Sequence, residues 1–168
     1  MESEIPILDM AVRLGAAAGL ALILGLEREL RGKAAGLRSH MLVAIGAAAF
    51  IMMGLDLMFA TSSGDPSARI DPTRIIQGVI GGIGFLGAGS IIQSRGHVQG
   101  ITTGASIWIA GAVGVACGIG NIVLAGMVTL LALVIMTILG RFEHEVMPAK
   151  RGQSAPTDRG NGEDRDSQ

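Results

Sequence analysis

Ionisable side chains inside an apolar stretch are where chemistry is sought first, because an unpaired arginine or aspartate at mid-bilayer costs roughly 2.5–3.5 kcal/mol on insertion scales. Asp9 and Arg13 stand one helical turn apart in such a stretch and can pair. Glu27 follows further along the same stretch. At 3.6 residues per turn it returns to within about 40° of the Arg13 face, about 21 Å away. One helix stripe therefore carries Asp9, Arg13 and Glu27. Two readings stay open: the outer pair snorkels to headgroups while Glu27 pairs with nearby basic residues, or the stripe is a polar pathway or regulatory site. Asp56 either joins that path or lies at the interface. Glu27 stands at the membrane boundary beside Arg28, Arg31, Lys33 and Arg38, whose charges offset its desolvation. The expectation is a linked charge cluster of Glu27, Arg38 and Arg95.

A second polar set opens a later apolar segment at Gly100-Ile101-Thr102-Thr103. Hydroxyls at a helix start cap free amides. With Arg95 nearby, the same groups form a patch that could hold an anion. Thr103 lines up with Ala110 and Gly114, while Trp108 points the other way and suits an interfacial anchor. Gly82-Ile83-Gly84-Phe85-Leu86-Gly87 matches a dinucleotide fingerprint in letters only. No strand precedes it and no acidic residue follows at the ribose-binding distance, so a nucleotide site is rejected. Cys117 is the single cysteine, which excludes an intramolecular disulfide and a cysteine-only metal cluster. Glu143-His144-Glu145 reads as a solvated helix end rather than a metal site. No nucleophile and base stand at an interpretable spacing, so no enzyme, metal site or cofactor is expected.

The elements that must position these residues follow from composition. Hydrophobic residues make up 49% of the chain and charged ones 16%. No acidic residue lies between Asp71 and Glu143, so that region cannot make a soluble surface. The net charge of −1 gives no basic field for nucleic acid. The reading is an all-α integral membrane protein, a bundle of about five transmembrane helices with the lipid bilayer as its surroundings. A span needs about 20 apolar residues, and the candidates run approximately 5–26, 39–59, 73–93, 101–118 and 121–140. The first is read as retained, since the acidic start lacks the positive region of a signal peptide. Asp71 and Pro72 give the third helix a capped start. Of the 26 glycines, Gly81, Gly84 and Ala88 share a face with Gln77, and Gly78, Gly82 and Gly89 form another. A helix smooth on two faces is expected at the centre of the bundle. Residues 1–146 form the membrane domain, and the polar residues 147–168 are expected to be a disordered cytoplasmic tail. Basic residues cluster in the first loop and after the last helix, which predicts the amino terminus outside and the carboxyl terminus in the cytoplasm.

Five stretches occur in order: Gly25-Leu26-Glu27-Arg28-Glu29; Ala35-Gly36-Leu37-Arg38-Ser39-His40; Asp71-Pro72-Thr73-Arg74-Ile75; Gly84-Phe85-Leu86-Gly87-Ala88-Gly89; and Gly100-Ile101-Thr102-Thr103 through Trp108. Together they resemble the MgtC/SapB family over about residues 8–140, and Asp9 and Arg13 look like that family's acidic residue and arginine near the start of its first helix. The resemblance implies a multi-pass protein of the bacterial inner membrane, linked in some members to growth at low magnesium and to virulence inside macrophages. It implies no enzyme activity. Virulence members act as regulators of other membrane proteins, ATP synthase among them, although the family is also named for magnesium transport. A homo-oligomer is expected. The chain looks like a short member carrying the transmembrane domain alone, with Thr102 where virulence members often have asparagine. The expectation is thus a non-enzymatic regulator or accessory factor in magnesium-limitation, acid-stress or virulence physiology, with a small magnesium transporter or channel as the alternative.

Overall fold

A computed structural model describes residues 5–64, 71–94 and 97–146. Five helices appear in it: α1 (Ile7–Leu30), α2 (Leu37–Gly64), α3 (Pro72–Gly89), α4 (Ile101–Ile119) and α5 (Ile122–Val146). A short antiparallel hairpin, β1 (Ile92–Ser94) and β2 (His97–Gln99), joins α3 to α4. Four helices, all but α3, are long and apolar enough to cross a membrane. α3 has 18 residues and carries Arg74 and Gln77 in its first two turns.

Helix ends follow local chemistry. At the end of α1 Gly32 takes a left-handed φ of 61°, its amide donating to Glu29 O at 3.0 Å and the Lys33 amide to Arg28 O at 3.0 Å. That Schellman geometry ends the helix because only glycine enters the left-handed region cheaply. The same closure at Gly120, φ 94°, ends α4, and Asn121 Oδ1 then accepts the Leu124 amide at 3.0 Å to start α5. The two spans therefore meet in a tight turn. Asp71 caps α3 by accepting the Thr73 amide at 2.9 Å, with Pro72 in the first helical position.

The expected span of α3 to residue 93 is shortened, since the chain turns after Ser90 into the hairpin. Periodicity could not separate the two, because Ile91-Ile92-Gln93 continues the apolar run. The central helix is α4, not α3: it packs on all four other helices. Gly114 and Gly118 of α4 let the α2 backbone lie against it, where a Cβ at Gly118 would come 2.8 Å from Ala48 O. Alanines and other compact side chains fill the middle, with Ala17, Ala21, Leu24, Ala44, Ala48, Val113 and Cys117 fully buried. α3 instead lies on the flank, packed chiefly against α2 and α4, and buries only Ile83 and Gly87. A Cβ at Gly78, Gly81, Gly82, Gly84 or Gly89 would meet nothing within 4 Å. The outward faces of α5 carry Val123, Met127, Leu130, Leu131 and Leu139, a surface suited to hydrocarbon.

Candidate functional site

Two polar sites lie at opposite ends of the α1–α4 contact. At the first, Arg13 Nη2 sits 2.6 Å from Asp9 Oδ2, and Nη1 donates to Gly118 O at 2.8 Å. Its guanidinium also lies against Gly120. Arg13 thus closes the carboxyl end of α4, where unpaired carbonyls and the helix dipole favour a cation. Asp9 fixes the guanidinium from one turn away.

The second site is built where α1 ends and α2 and α4 begin. Gly25 brings α1 so close to the entry of α2 that a Cβ would stand 2.8 Å from Leu37 Cα. Glu29 Oε2 accepts the Leu37 amide at 3.1 Å and packs against Gly36, which pins the loop 31–36. This geometry accounts for glycine at both positions. His40, one turn into α2, is fully buried. Its Nδ1 lies 2.8 Å from Gly36 O and its Nε2 3.1 Å from Ser106 Oγ. The Ser106 hydroxyl donates in turn to Thr103 O at 2.8 Å. From the α1 side Arg28, 3% exposed, reaches Thr103 Oγ1 at 3.5 Å, the outer limit of a hydrogen bond. Glu27, 8% exposed, pairs through Oε1 with Arg31 Nε at 2.5 Å, and its Oε2 lies 3.7 Å from Arg28 Nη1. Arg31 also donates to Thr137 O at 3.4 Å, which ties the set to α5.

Three helices and five residue types therefore converge in one buried polar set: Glu27, Arg28, His40, Thr103 and Ser106, with Arg31 at its edge. Among the described residues two guanidinium groups face one carboxylate, an excess of positive charge in a low-dielectric surrounding. A buried carboxylate of this kind is held by its ion pairs, and removing a partner leaves an uncompensated charge. Among the described residues, no three His, Cys, Asp or Glu side chains converge to hold a metal.

Arg38 departs from the expected cluster. It is exposed and makes no ion pair among the described residues. Two positions on a helix are about 200° apart, so His40 facing inward turns Arg38 outward. Glu27 is joined instead by Arg28 and Arg31. Arg95 lies outside the described residues, as does the tail 147–168; the side chains of Glu143, His144 and Glu145 are likewise not described. Thr102 is exposed, whereas Thr103 is buried. Trp108 is 46% exposed on the far side of α4, near Ile80 and Leu124. Gln77, Gly81 and Gly89 are exposed, as are Asp71 and Arg74, and Gly84 is half-buried. Gly87 is the glycine of that motif that makes a contact: a Cβ there would come 3.2 Å from Gly104 O, and one at Gly104 would come 2.7 Å from Gly87 O. Asp56 is half-buried near the end of α2, remote from Glu27. Hydrogen bonds from the Thr73 hydroxyl and amide hold the exposed Asp71 carboxyl below the usual carboxylate range.

His40 and Ser106 were not singled out from the sequence as site residues. A signal existed for Ser106, which stands three positions after Thr103 and so on the same helix face. His40 stands in one of the five stretches and inside an apolar span, but its partner, 66 residues away, could not be read from the sequence.

Comparison with known proteins places residues 14–145 in a match to the MgtC family. A protein MgtC of Brucella abortus is 37% identical over 154 residues, 90% of this chain and 61% of that protein. The putative magnesium transporter YhiD of Escherichia coli K12 is 33% identical over 139 residues, 83% of this chain and 64% of that one. A protein MgtC of Salmonella typhimurium is 39% identical over 121 residues, 72% and 48% of the two chains. The chain thus spans about three-fifths of the length of the Brucella relative. No solved structure matches.

Proposed function

The chain belongs to the MgtC family, and from that premise we propose that it is a non-enzymatic regulator or accessory protein of the bacterial inner membrane, serving magnesium-limitation, acid-stress or virulence physiology. It acts through another membrane protein, such as ATP synthase, as a homo-oligomer. Its amino terminus lies outside and its carboxyl terminus in the cytoplasm, so that the Glu27–His40 set sits at the cytoplasmic end. The orientation rests on Arg28, Arg31, Lys33 and Arg38, which gather where α1 ends and α2 begins.

One observation carries the regulatory reading. Between the Arg13 site and the Glu27 site, the α1–α2–α4 interior is alkyl: Ala17, Ala21, Leu24, Ala48, Val113 and Cys117 are fully buried there. An ion crossing this chain's interior would have to shed its hydration against those side chains. Charge near both ends and packed hydrocarbon between suit a rigid body more than an ion path. The alternative, a small magnesium transporter, is supported by the name of the Escherichia coli relative, putative magnesium transporter YhiD.

Ion flux and growth rescue separate the two. The purified chain in liposomes, with and without a magnesium gradient, is expected to pass no magnesium. The wild-type gene is expected to restore growth at low magnesium to a strain lacking it, and folded Thr103→Val protein to fail. Magnesium flux above that of empty liposomes would transfer the assignment to transport.

A further inference from the structure

α2 and α3 touch near one end, where Ile75 packs on Gly54, and part towards the other, because Gly87 draws α3 onto Gly104 of α4. The space left between them is a cavity of about 780 Å³, lined along its length by Leu42, Gly46, Phe50, Gly78, Gly82 and Leu86. Its volume lies within the roughly 300–1,000 Å³ of small-molecule sites. Its lining is apolar except at one end, where the exposed Arg74 forms part of the wall.

We propose that this groove holds an acyl chain of an anionic phospholipid, with the Arg74 guanidinium on its phosphodiester.

Length supports the assignment. From Arg74 to Leu86 along α3 is about 18 Å, and from Leu57 to Leu42 along α2 about 22 Å, at 1.5 Å per residue. One leaflet of a ~30 Å hydrocarbon core is about 15 Å deep. A groove that starts beside a cation at a helix end and runs inward by a leaflet's depth and a few ångströms more is long enough for an acyl chain and has the polarity of a phospholipid. The glycines add to this. A Cβ at Gly46, Gly78 or Gly82 would meet nothing within 4 Å, so their smoothness serves no contact within the chain. Chemistry also favours a lipid over a second copy. Among the described residues no acidic side chain lines the groove; the Asp71 carboxyl, one turn before Arg74, accepts the Thr73 amide and hydroxyl, and a helix laid into the groove would press apolar side chains on the guanidinium and strip its water. A phosphodiester pairs with it at the interface. Because hydrocarbon gains little by leaving one lipid surface for another, the headgroup contact decides which lipid stays.

Native mass spectrometry of the full chain in detergent, with phosphatidylglycerol or phosphatidylcholine of identical chains added, tests this. One phosphatidylglycerol should remain bound, favoured about fivefold over phosphatidylcholine, the order expected of one arginine near an anionic headgroup. Gly82→Leu and, separately, Gly46→Leu should abolish retention of either lipid with the melting temperature unchanged. Arg74→Gln should keep a bound lipid and level the preference. The proposal is overturned if wild type retains no lipid, if both leucine variants still bind, or if Arg74→Gln keeps the fivefold preference. A lipid-free dimer that Gly82→Leu dissolves would give the groove to a second copy and overturn it equally.

Discussion

Replacing Glu27 by glutamine removes the carboxylate that, among the described residues, pairs with Arg28 and Arg31. Arg28 is 3% exposed and Glu27 8%, so neither can turn to water without opening the α1–α4 contact. Removing one partner of a buried pair costs about 3–5 kcal/mol, because the remaining charge is left uncompensated. For a chain of this size each kcal/mol shifts the melting temperature by about 2–4 °C. Glu27→Gln should therefore melt about 6–20 °C below wild type in detergent. Arg28→Met gives the contrasting case. It deletes a deeply buried guanidinium yet leaves Glu27 with Arg31, whose Nε stands beside Oε1. Glu27 keeps its pair with Arg31, so no charge is left uncompensated and the cost of breaking a buried pair does not arise; this variant should stay within about 4 °C of wild type. Combining the two should recover part of the Glu27→Gln loss, since residues in one ion-pair network couple. Circular dichroism at 222 nm on the solubilised chain, scanned at one fixed rate, measures all three. A Glu27→Gln melting point within 2 °C of wild type, or a larger loss for Arg28→Met than for Glu27→Gln, would refute this account of the site.

The α3–α4 contact should be selective: Gly104→Leu should lower the melting temperature by several degrees, since even a Cβ would come 2.7 Å from Gly87 O, whereas Gly84→Leu, with open space at its Cβ, should change it by under 2 °C. Alkaline phosphatase fused after Gln168 should be inactive and fused near Ser63 active, and the reverse pattern overturns the proposed orientation. For Asp71 the folded carboxyl is held below its ordinary range of about 3.9 by the Thr73 hydroxyl and amide, so the cap is intact above that value and is lost as pH falls through the lowered one. Hydrogen exchange at the Thr73 amide should accelerate at pH values below the cap's titration, and Asp71→Asn should remove that pH dependence.

Much of the chain was legible because its signals are local. Apolar runs long enough to cross hydrocarbon identify α1, α2, α4 and α5, and Asp71-Pro72 marks the start of α3 within one residue. The Asp9–Arg13 pair follows from one helical turn of separation. Order among the helices was not local. Glycine on a helix surface permits close approach without specifying it, so α3, smooth on two faces, was expected at the centre, and contacts such as Gly114 on Ala44 decide for α4 instead.

The same division runs through the site. Glu27 and its basic neighbours are adjacent in sequence, so charge compensation there was fixed by composition before any fold was known. Which cation serves was not, because rotation about the α2 axis turns Arg38 outward once His40 faces inward. His40 and Ser106 lie 66 residues apart and Arg28 and Thr103 75 apart. A hydrogen bond across such a separation exists only when two helices are packed in one register, and register is a property of the assembled bundle. The sequence by itself determined the bilayer as solvent, the helices that cross it and the charges at their ends; tertiary packing alone decided which of those charges meet.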